Sequence, residues 1–289
     1  MPRRYAFGLI ALVLLSAAAI TVFVVRRNSL QHKSFVQNSA GASTIQSAPA
    51  APGTSAPRVW PTPFSVKLRD LPRKEELPPG TLRILVVGDS VAKFLGLAMR
   101  YRQDERQTFV AERGVGNCSI FEPAPYVEDG ETKMSSSCSM AWATDAKELE
   151  PDVTFIVMGG GYFSSNACKK DFAQDYDKRV FKLARMMGTA AGQIVIARVP
   201  YPIKAWRHSN VLERVDCFNK MLVNIADKYE FPMVDLMSHV CPTRECNMES
   251  DGKPIRPDGL HFDGGGAEET ARWALSELKR LHKPASNDR

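Results

Sequence analysis

The sequence predicts an α/β protein with a doubly wound parallel sheet of the flavodoxin-like kind. Short aliphatic runs of strand length recur, and they alternate with longer segments in which apolar residues return every three or four positions. Continuous aliphatic runs are typical of strands buried on both faces, and regular alternation with helices is typical of a parallel sheet. The predicted strands are Ile84–Val87, Val153–Met158, Ile194–Val199 and Pro232–Leu236.

Four helices are predicted around this sheet. The first begins directly after the first strand, and the other three carry apolar stripes at helical spacing, which are typical of faces that pack on a core. These helices are Val91–Arg100, Phe172–Met187, Val211–Tyr229 and Ala267–Leu281.

The N-terminal part of the chain predicts a membrane anchor. Residues 7–25 are 19 uncharged, mostly apolar residues, which is long enough for a transmembrane helix. A cleavable signal peptide is the alternative, because Ser16–Ala19 offers small residues for cleavage. We expect a cytoplasmic stub and anchor at 1–28, a Pro-, Ala- and Ser-rich spacer at 29–80, a catalytic domain at 81–283 and a tail at 284–289.

Charge is distributed unevenly along the chain. Residues 1–80 contain ten Lys and Arg against three Asp and Glu, whereas the rest of the chain contains 28 against 29. The basic excess therefore belongs to the segment beside the predicted anchor, where it favours a membrane as partner. We expect no nucleic-acid partner, since one would favour a basic face on the folded domain and the charge balance there supports none.

Three residues at opposite ends of the domain predict nucleophilic catalysis. Ser90 follows Gly88-Asp89 at a strand-to-helix transition, where ligands bind in open α/β folds and where helix N–H groups favour negative charge. Asp258 precedes His261 by three residues, so it can hold Nδ1 of the imidazole and leave Nε2 free to take a proton from a serine. Alternatively, Ser90 is only the N-cap of the helix.

The surroundings of these residues narrow the interpretation. Asp89 is expected to bond local backbone, and the absence of a G-x-S-x-G motif around Ser90 disfavours an α/β-hydrolase. His239 is expected to be structural. A zinc site from His239, Cys241 and Cys246 is disfavoured because no second ligand pair has finger spacing, and we expect neither a metal nor a cofactor. The remaining histidines lie in the spacer, in a charged loop and near the tail: His32, His208 and His282.

Cysteine usage indicates an oxidising compartment. All six cysteines lie at or beyond Cys118, and an even number in a chain with an export signal suggests disulfides. The short separation of Cys241 and Cys246 makes that pair plausible, although reduced, buried cysteines are the alternative. Disulfides imply that the N-terminus is cytoplasmic and that the domain is periplasmic or extracellular.

Together, these motifs resemble the SGNH (GDSL-type) hydrolase superfamily over residues 81–282. The resemblance rests on Gly88-Asp89-Ser90 after a buried strand and on Asp258-Gly-Leu-His261 near the C-terminus. Features between them are similar to the SGNH domains of bacterial extracytoplasmic O-acetyltransferases: Gly116-Asn-Cys118, Cys138 with Trp142 soon after, Pro151-Asp152, and Gly265-Gly-Ala267 after the final motif.

The resemblance also implies a set of disulfides and an oxyanion hole. It pairs Cys118 with Cys138 and so leaves Cys168 with Cys217. The oxyanion hole would take the N–H of Ser90, the N–H of Gly116 and an Asn side chain. That Asn is absent at its expected spacing after the second strand. We expect a backbone N–H of Gly160 or Gly161 to replace it, or Asn166 to reach in, unless the loop has no catalytic part.

The expected function follows from the resemblance and the anchor. The protein would be a single-pass inner-membrane serine esterase or O-acyltransferase that forms an acyl-serine and acts on acetyl groups of a cell-envelope glycan. A separate multi-span membrane acyltransferase would supply the acyl group in a transfer reaction. The alternative is a catalytically inactive SGNH-like domain that binds envelope glycan or a partner protein.

Overall fold

The computed structural model describes residues 68–104, 107–116, 118–120, 125–128, 131–134, 138–159, 166–207 and 209–282. All of them belong to one compact unit that begins at Pro61. Within these ranges no helix has the length and apolar character needed to cross a membrane. The predicted anchor, most of the spacer and the tail lie outside the described residues.

Nine strands and six helices form the described part of the chain, joined by short 3-10 turns. The strands are β1 (Leu82–Gly88), β2 (Thr108–Glu112), β3 (Pro125–Glu128), β4 (Glu131–Met134), β5 (Val153–Val157), β6 (Gln193–Ala197), β7 (Met233–Val234), β8 (Glu249–Ser250) and β9 (Lys253–Pro254). The helices are α1 (Ser90–Arg102), α2 (Cys138–Leu149), α3 (Lys170–Met187), α4 (Val211–Tyr229), α5 (Leu236–Val240) and α6 (Ala267–Leu281).

The main sheet has five parallel strands in the order β2-β1-β5-β6-β7. If the five strands of this sheet are numbered in chain order, their order is 2-1-3-4-5, as in flavodoxin-like folds. The predicted α/β fold with a parallel sheet is therefore confirmed. β1 lies between β2 and β5, and all seven of its residues are buried. Two antiparallel hairpins, β3-β4 and β8-β9, stand apart from this sheet.

The structure differs from the sequence prediction in several elements. β2, α2, α5 and the strands of the two hairpins were not predicted. The fourth predicted strand shortens to two residues because Asp235 starts α5, where its side chain accepts the N–H of Ser238 at 3.0 Å. The third predicted strand ends at Ala197, two residues earlier than expected.

The helices form two groups. α1 packs against α6, whereas α2 packs against α3 and α3 packs against α4. The connection from β1 leads outward to β2, and the later connections lead in the opposite direction along the sheet. Because such crossovers are right-handed, this reversal places the two groups on opposite faces. It also leaves a crevice beside the carboxyl ends of β1 and β5, where ligands bind in folds of this kind.

Two glycines allow α1 to start close to the sheet. Gly88 has a φ of +145°, and a Cβ there would collide with the carbonyl oxygen of Val157 on β5. A Cβ at Gly159 would collide with the side chain of Val91 in the first turn of α1. The first turn of α1 is therefore held directly against the ends of β1 and β5.

Three disulfides join all six cysteines of the chain. Cys118 pairs with Cys138, Cys168 with Cys217, and Cys241 with Cys246, which is the set that the resemblance implied. The first joins the loop after β2 to the start of α2, and the second joins the turn before α3 to α4. No cysteine is left reduced.

Candidate functional site

Ser90 is the first residue of α1, directly after the carboxyl end of β1. The N-cap is Asp89, whose buried carboxylate accepts the N–H of Val91 at 2.9 Å. The local bond predicted for Asp89 is therefore confirmed, and the N-cap interpretation of Ser90 is wrong. Because Asp89 caps the helix, the hydroxyl of Ser90 is available for another partner.

A tight turn joins Asp258 to His261. One carboxylate oxygen of Asp258, Oδ1, accepts the N–H groups of Leu260 and His261, each at 2.8 Å. The other, Oδ2, lies 2.6 Å from Nδ1 of the His261 ring. Gly259 makes the turn possible, since its φ is +92° and a Cβ there would collide with the carbonyl oxygen of Ile203.

The fold brings this turn onto Ser90. Nε2 of His261 lies 2.8 Å from Oγ of Ser90, across 171 residues of sequence. With the ring N–H donated from Nδ1 to Asp258, the lone pair on Nε2 faces the Ser90 hydroxyl. The side chains predicted to act together are thus adjacent, with each distance in the hydrogen-bond range, and the arrangement can accept a proton from the serine.

The charge on Asp258 is stabilised within the turn. Burial alone would raise the pKa of this carboxyl. Hydrogen bonds from the His261 ring, the His261 N–H and the Leu260 N–H outweigh burial and lower the pKa to about 2. Asp258 is therefore ionised at neutral pH, where it favours the ring orientation described above and stabilises an imidazolium.

Two aromatic side chains flank the imidazole of His261. The ring of Phe94, on α1, lies 4.8 Å from it between centroids, and the ring of Trp206 lies 6.4 Å away in a perpendicular orientation. The segment that carries Trp206 is tied to the His261 turn, because Ile203 N–H donates to the carbonyl of Gly259 at 2.9 Å. Neither aromatic residue was predicted from the sequence.

A buried arginine anchors the start of the Asp258 turn. Arg256 is only 1% exposed, and its Nη1 donates to the carbonyl of Tyr201 at 2.8 Å. Its guanidinium also lies 5.8 Å from the centre of the buried Phe262 ring, just beyond His261. The residues on both sides of the turn are therefore fixed in the core, which restricts where the imidazole can lie.

Some of the residues predicted to form the oxyanion hole lie within the described part of the chain. The backbone N–H of Ser90 lies at the start of α1, where free N–H groups point out of the helix. Gly116 lies in the exposed turn after β2, next to Val115, whose N–H donates to the carbonyl of Gly88 at 2.9 Å. Asn166 is exposed. Gly160 and Gly161 lie outside the described residues.

The residues considered as zinc ligands, His239, Cys241 and Cys246, make other contacts in the structure. Cys241 and Cys246 are bonded to each other, so neither can be a thiolate ligand. The ring of His239 stacks on Trp273 with 3.9 Å between centroids, and burial lowers the pKa of His239. In the part of the chain that the structure describes, no group of three His, Cys, Asp or Glu residues could hold a metal ion.

Comparisons with known proteins give structural likeness only. No family model matches the chain, and no curated protein matches it in sequence. The periplasmic domain of a lipopolysaccharide acetyltransferase from Salmonella ser. Paratyphi A aligns over 71% of this chain and 84% of its own, with 13% identity and a TM-score of 0.47. A GDSL-like lipase from Bacteroides thetaiotaomicron aligns over 68% and 86%, with 12% identity and a TM-score of 0.46.

An acetylxylan esterase from Geobacillus stearothermophilus aligns over 70% of this chain and 96% of its own, with 14% identity and a TM-score of 0.46. Of these three solved structures, the lipase is described as GDSL-like, which is the kind of hydrolase that the motifs of this chain resemble. Since these TM-scores lie below 0.5, the alignments by themselves establish no activity, which has to be argued from the geometry of the site.

Proposed function

We propose that this protein is an extracytoplasmic serine esterase or O-acyltransferase of the SGNH type that works through an acyl-Ser90 intermediate. The observation that carries the proposal is the 2.8 Å contact between His261 Nε2 and Ser90 Oγ, with Asp258 hydrogen-bonded to the other ring nitrogen. A nucleophile, a base and a group that orients the base are the parts that acyl transfer requires.

In the first half-reaction, Ser90 Oγ attacks the carbonyl carbon of an ester while its proton passes to His261 Nε2. The carbonyl oxygen becomes an oxyanion, and the N–H groups of Ser90 and Gly116 are the candidates to stabilise it. When the ester bond breaks, the alcohol leaves with the proton from His261, and Ser90 retains the acyl group.

In the second half-reaction, His261 takes a proton from the hydroxyl that attacks the acyl-serine. If that hydroxyl belongs to water, the product is a carboxylic acid and the enzyme is an esterase. If it belongs to a sugar, the product is a new ester and the enzyme is a transferase. In both cases the proton returns to Ser90 Oγ, and the site is restored.

The proposed setting is the bacterial cell envelope. The uncharged segment at 7–25 and the basic residues near it support an anchor in the inner membrane, and the three disulfides support an oxidising compartment for the domain. An acetylated envelope glycan is the proposed substrate. A separate multi-span membrane protein is the proposed acyl donor if the reaction is a transfer.

Labelling with a fluorophosphonate tests the activated serine. The purified full-length protein should be labelled on the peptide that contains Ser90, as read by mass spectrometry. Label should be lost in His261→Ala and retained in Ser276→Ala, a serine on α6. Ser90→Ala should hydrolyse 4-nitrophenyl acetate at least about a thousandfold more slowly than the native chain.

Absence of label on the folded, oxidised protein would contradict this mechanism and favour a domain that binds glycan or a partner without catalysis. Where label is found, competition by an acceptor separates the two reactions. Added envelope oligosaccharide should divert the acetyl group from water to sugar if the protein is a transferase, and should leave acetate release unchanged if it is an esterase.

A further inference from the structure

The buried carboxyl of Glu112 has no part in the mechanism above. Glu112 is the last residue of β2 and is only 5% exposed, and its Oε1 accepts the N–H of Gly114 at 2.9 Å. A carboxyl is costly to bury, so a buried one needs a structural or functional reason. Glu112 lies at the carboxyl end of the sheet, one strand away from Ser90, which suggests that its burial is related to the candidate site.

Glu112 and the turn that follows it lie directly against α1. A Cβ at Gly96 would come within 2.7 Å of Glu112 Cγ, and a Cβ at Gly114 would collide with the backbone of Lys93. The turn and the helix that begins with Ser90 are therefore in contact without intervening side chains. As a result, a small displacement of the turn changes its position relative to Ser90.

The turn also leads from Glu112 to the candidate oxyanion donor. Gly114 N–H is fixed by Glu112, Val115 N–H is fixed by the carbonyl of Gly88, and Gly116 comes next. We propose that Glu112 is a positioning residue that fixes this turn through Gly114 N–H and so places the N–H of Gly116 beside Ser90. This inference rests on the proposed function, since it assigns a task within the same site.

The contact that Glu112 makes with Gly114 N–H requires a hydrogen-bond acceptor, which both protonation states of the carboxyl provide. Burial raises the pKa of Glu112 to about 7, against the opposing effects of Lys93, the Gly114 N–H, Arg113 and Arg100. Both protonation states are therefore populated near neutral pH, and each keeps an oxygen that can accept the Gly114 N–H. An amide oxygen at the same place should serve equally well.

Two variants of Glu112 in the full-length protein separate positioning from general stability. Glu112→Gln keeps an acceptor oxygen, and Glu112→Met removes it with little change in shape. With 4-nitrophenyl acetate, Glu112→Met should lower kcat at least about tenfold and change KM by less than about twofold. The reason is that a displaced Gly116 N–H would stabilise the transition state less well while affecting substrate binding little. Glu112→Gln should keep kcat within about threefold of the native value.

Thr154→Val is the matched control. Thr154 is a fully buried residue of β5 whose hydroxyl donates to the carbonyl of Ala191 at 2.7 Å, and it plays no part in the proposed site. This variant also loses one buried hydrogen bond, so its stability should fall while its kcat stays unchanged.

Three results would overturn the inference: a native kcat in Glu112→Met, an equal fall of kcat in both Glu112 variants, or an equal fall in Thr154→Val. In each of them, loss of turnover in Ser90→Ala would leave the proposed function standing. Full turnover in Ser90→Ala would overturn the proposed function and this inference together.

Discussion

At the scale of single residues, the two oxygens of Asp258 have separate tasks. Oδ1 closes the turn by accepting two backbone N–H groups, and Oδ2 holds the His261 ring. The sequence alone predicts this pair, because a spacing of three residues suffices to bring both side chains together. The contact with Ser90 cannot be derived from local spacing, because it depends on how the sheet is wound.

Asp258→Asn isolates the charge of this carboxyl. The variant keeps an oxygen that can accept the backbone N–H groups, but its amide does not enforce the ring orientation, so kcat should fall about 10³- to 10⁴-fold. Because folding lowers the pKa of Asp258 from 3.8 to about 2, the charge stabilises the folded state above pH 4, and this contribution is lost as the pH falls through about 2.

Thermal unfolding of both proteins between pH 2 and pH 7 measures this contribution. The native chain should have the higher Tm at pH 6, and the difference between the two proteins should shrink as the pH approaches 2. A difference in Tm that does not change with pH would show that the charge of Asp258 contributes nothing to stability.

At the scale of elements, the sequence predicts the strands that are rich in aliphatic residues and misses a strand that is not. β1, β5 and β6 are rich in Ile, Val and Leu, and all three are found where predicted, within two residues. β2 has only one Ile, Val or Leu among its five residues and ends in an ionisable residue, Glu112, which is buried and packs against α1. That packing is a tertiary effect, so local sequence predicts neither this strand nor the role of its last residue.

The close approach of α1 to β5 gives a prediction for Gly159. In Gly159→Ala, the new methyl group would overlap the side chain of Val91, so the first turn of α1 must move away from the sheet. Overpacking of this kind costs about 1–3 kcal/mol of the free energy of unfolding. Since Ser90 lies in the same turn, kcat for an acetate ester should also fall.

Gly265→Ala provides the control for this substitution. The three heavy atoms nearest to a Cβ at Gly265 belong to the side chain of Lys253, the first at 3.1 Å. This side chain is flexible, so the stability of Gly265→Ala should stay within about 0.5 kcal/mol of the native value. Urea unfolding measures both variants. Equal stability of Gly159→Ala and Gly265→Ala would contradict the close packing described for α1.

At the scale of the whole molecule, the disulfides differ in how much of the chain they close. Cys168 and Cys217 are separated by 49 residues, whereas Cys241 and Cys246 are separated by 5. A cross-link stabilises mainly by reducing the freedom of the unfolded chain, and this effect grows with the closed length. The longer loop therefore makes the larger contribution to stability.

Alanine substitution of each pair measures the difference. Replacing Cys168 and Cys217 together should lower the free energy of unfolding by about 4 kcal/mol, and replacing Cys241 and Cys246 by about 2 kcal/mol. Urea unfolding of each double variant, compared with the oxidised native chain, gives these values. A larger loss for the shorter pair would contradict the chain-entropy explanation.

The turn that joins Asp258 to His261 has a consequence for how the proposed activity would first arise. The proposed base, His261, and its carboxylate are assembled within four neighbouring residues. The proposed nucleophile, Ser90, is 171 residues away and meets them only in the folded domain. Under the proposed mechanism, a newly made chain holds the base and its orienting carboxylate in a local motif but lacks activity until β1 and the Asp258 turn come together. Cleavage of an ester would then report completed folding of the domain.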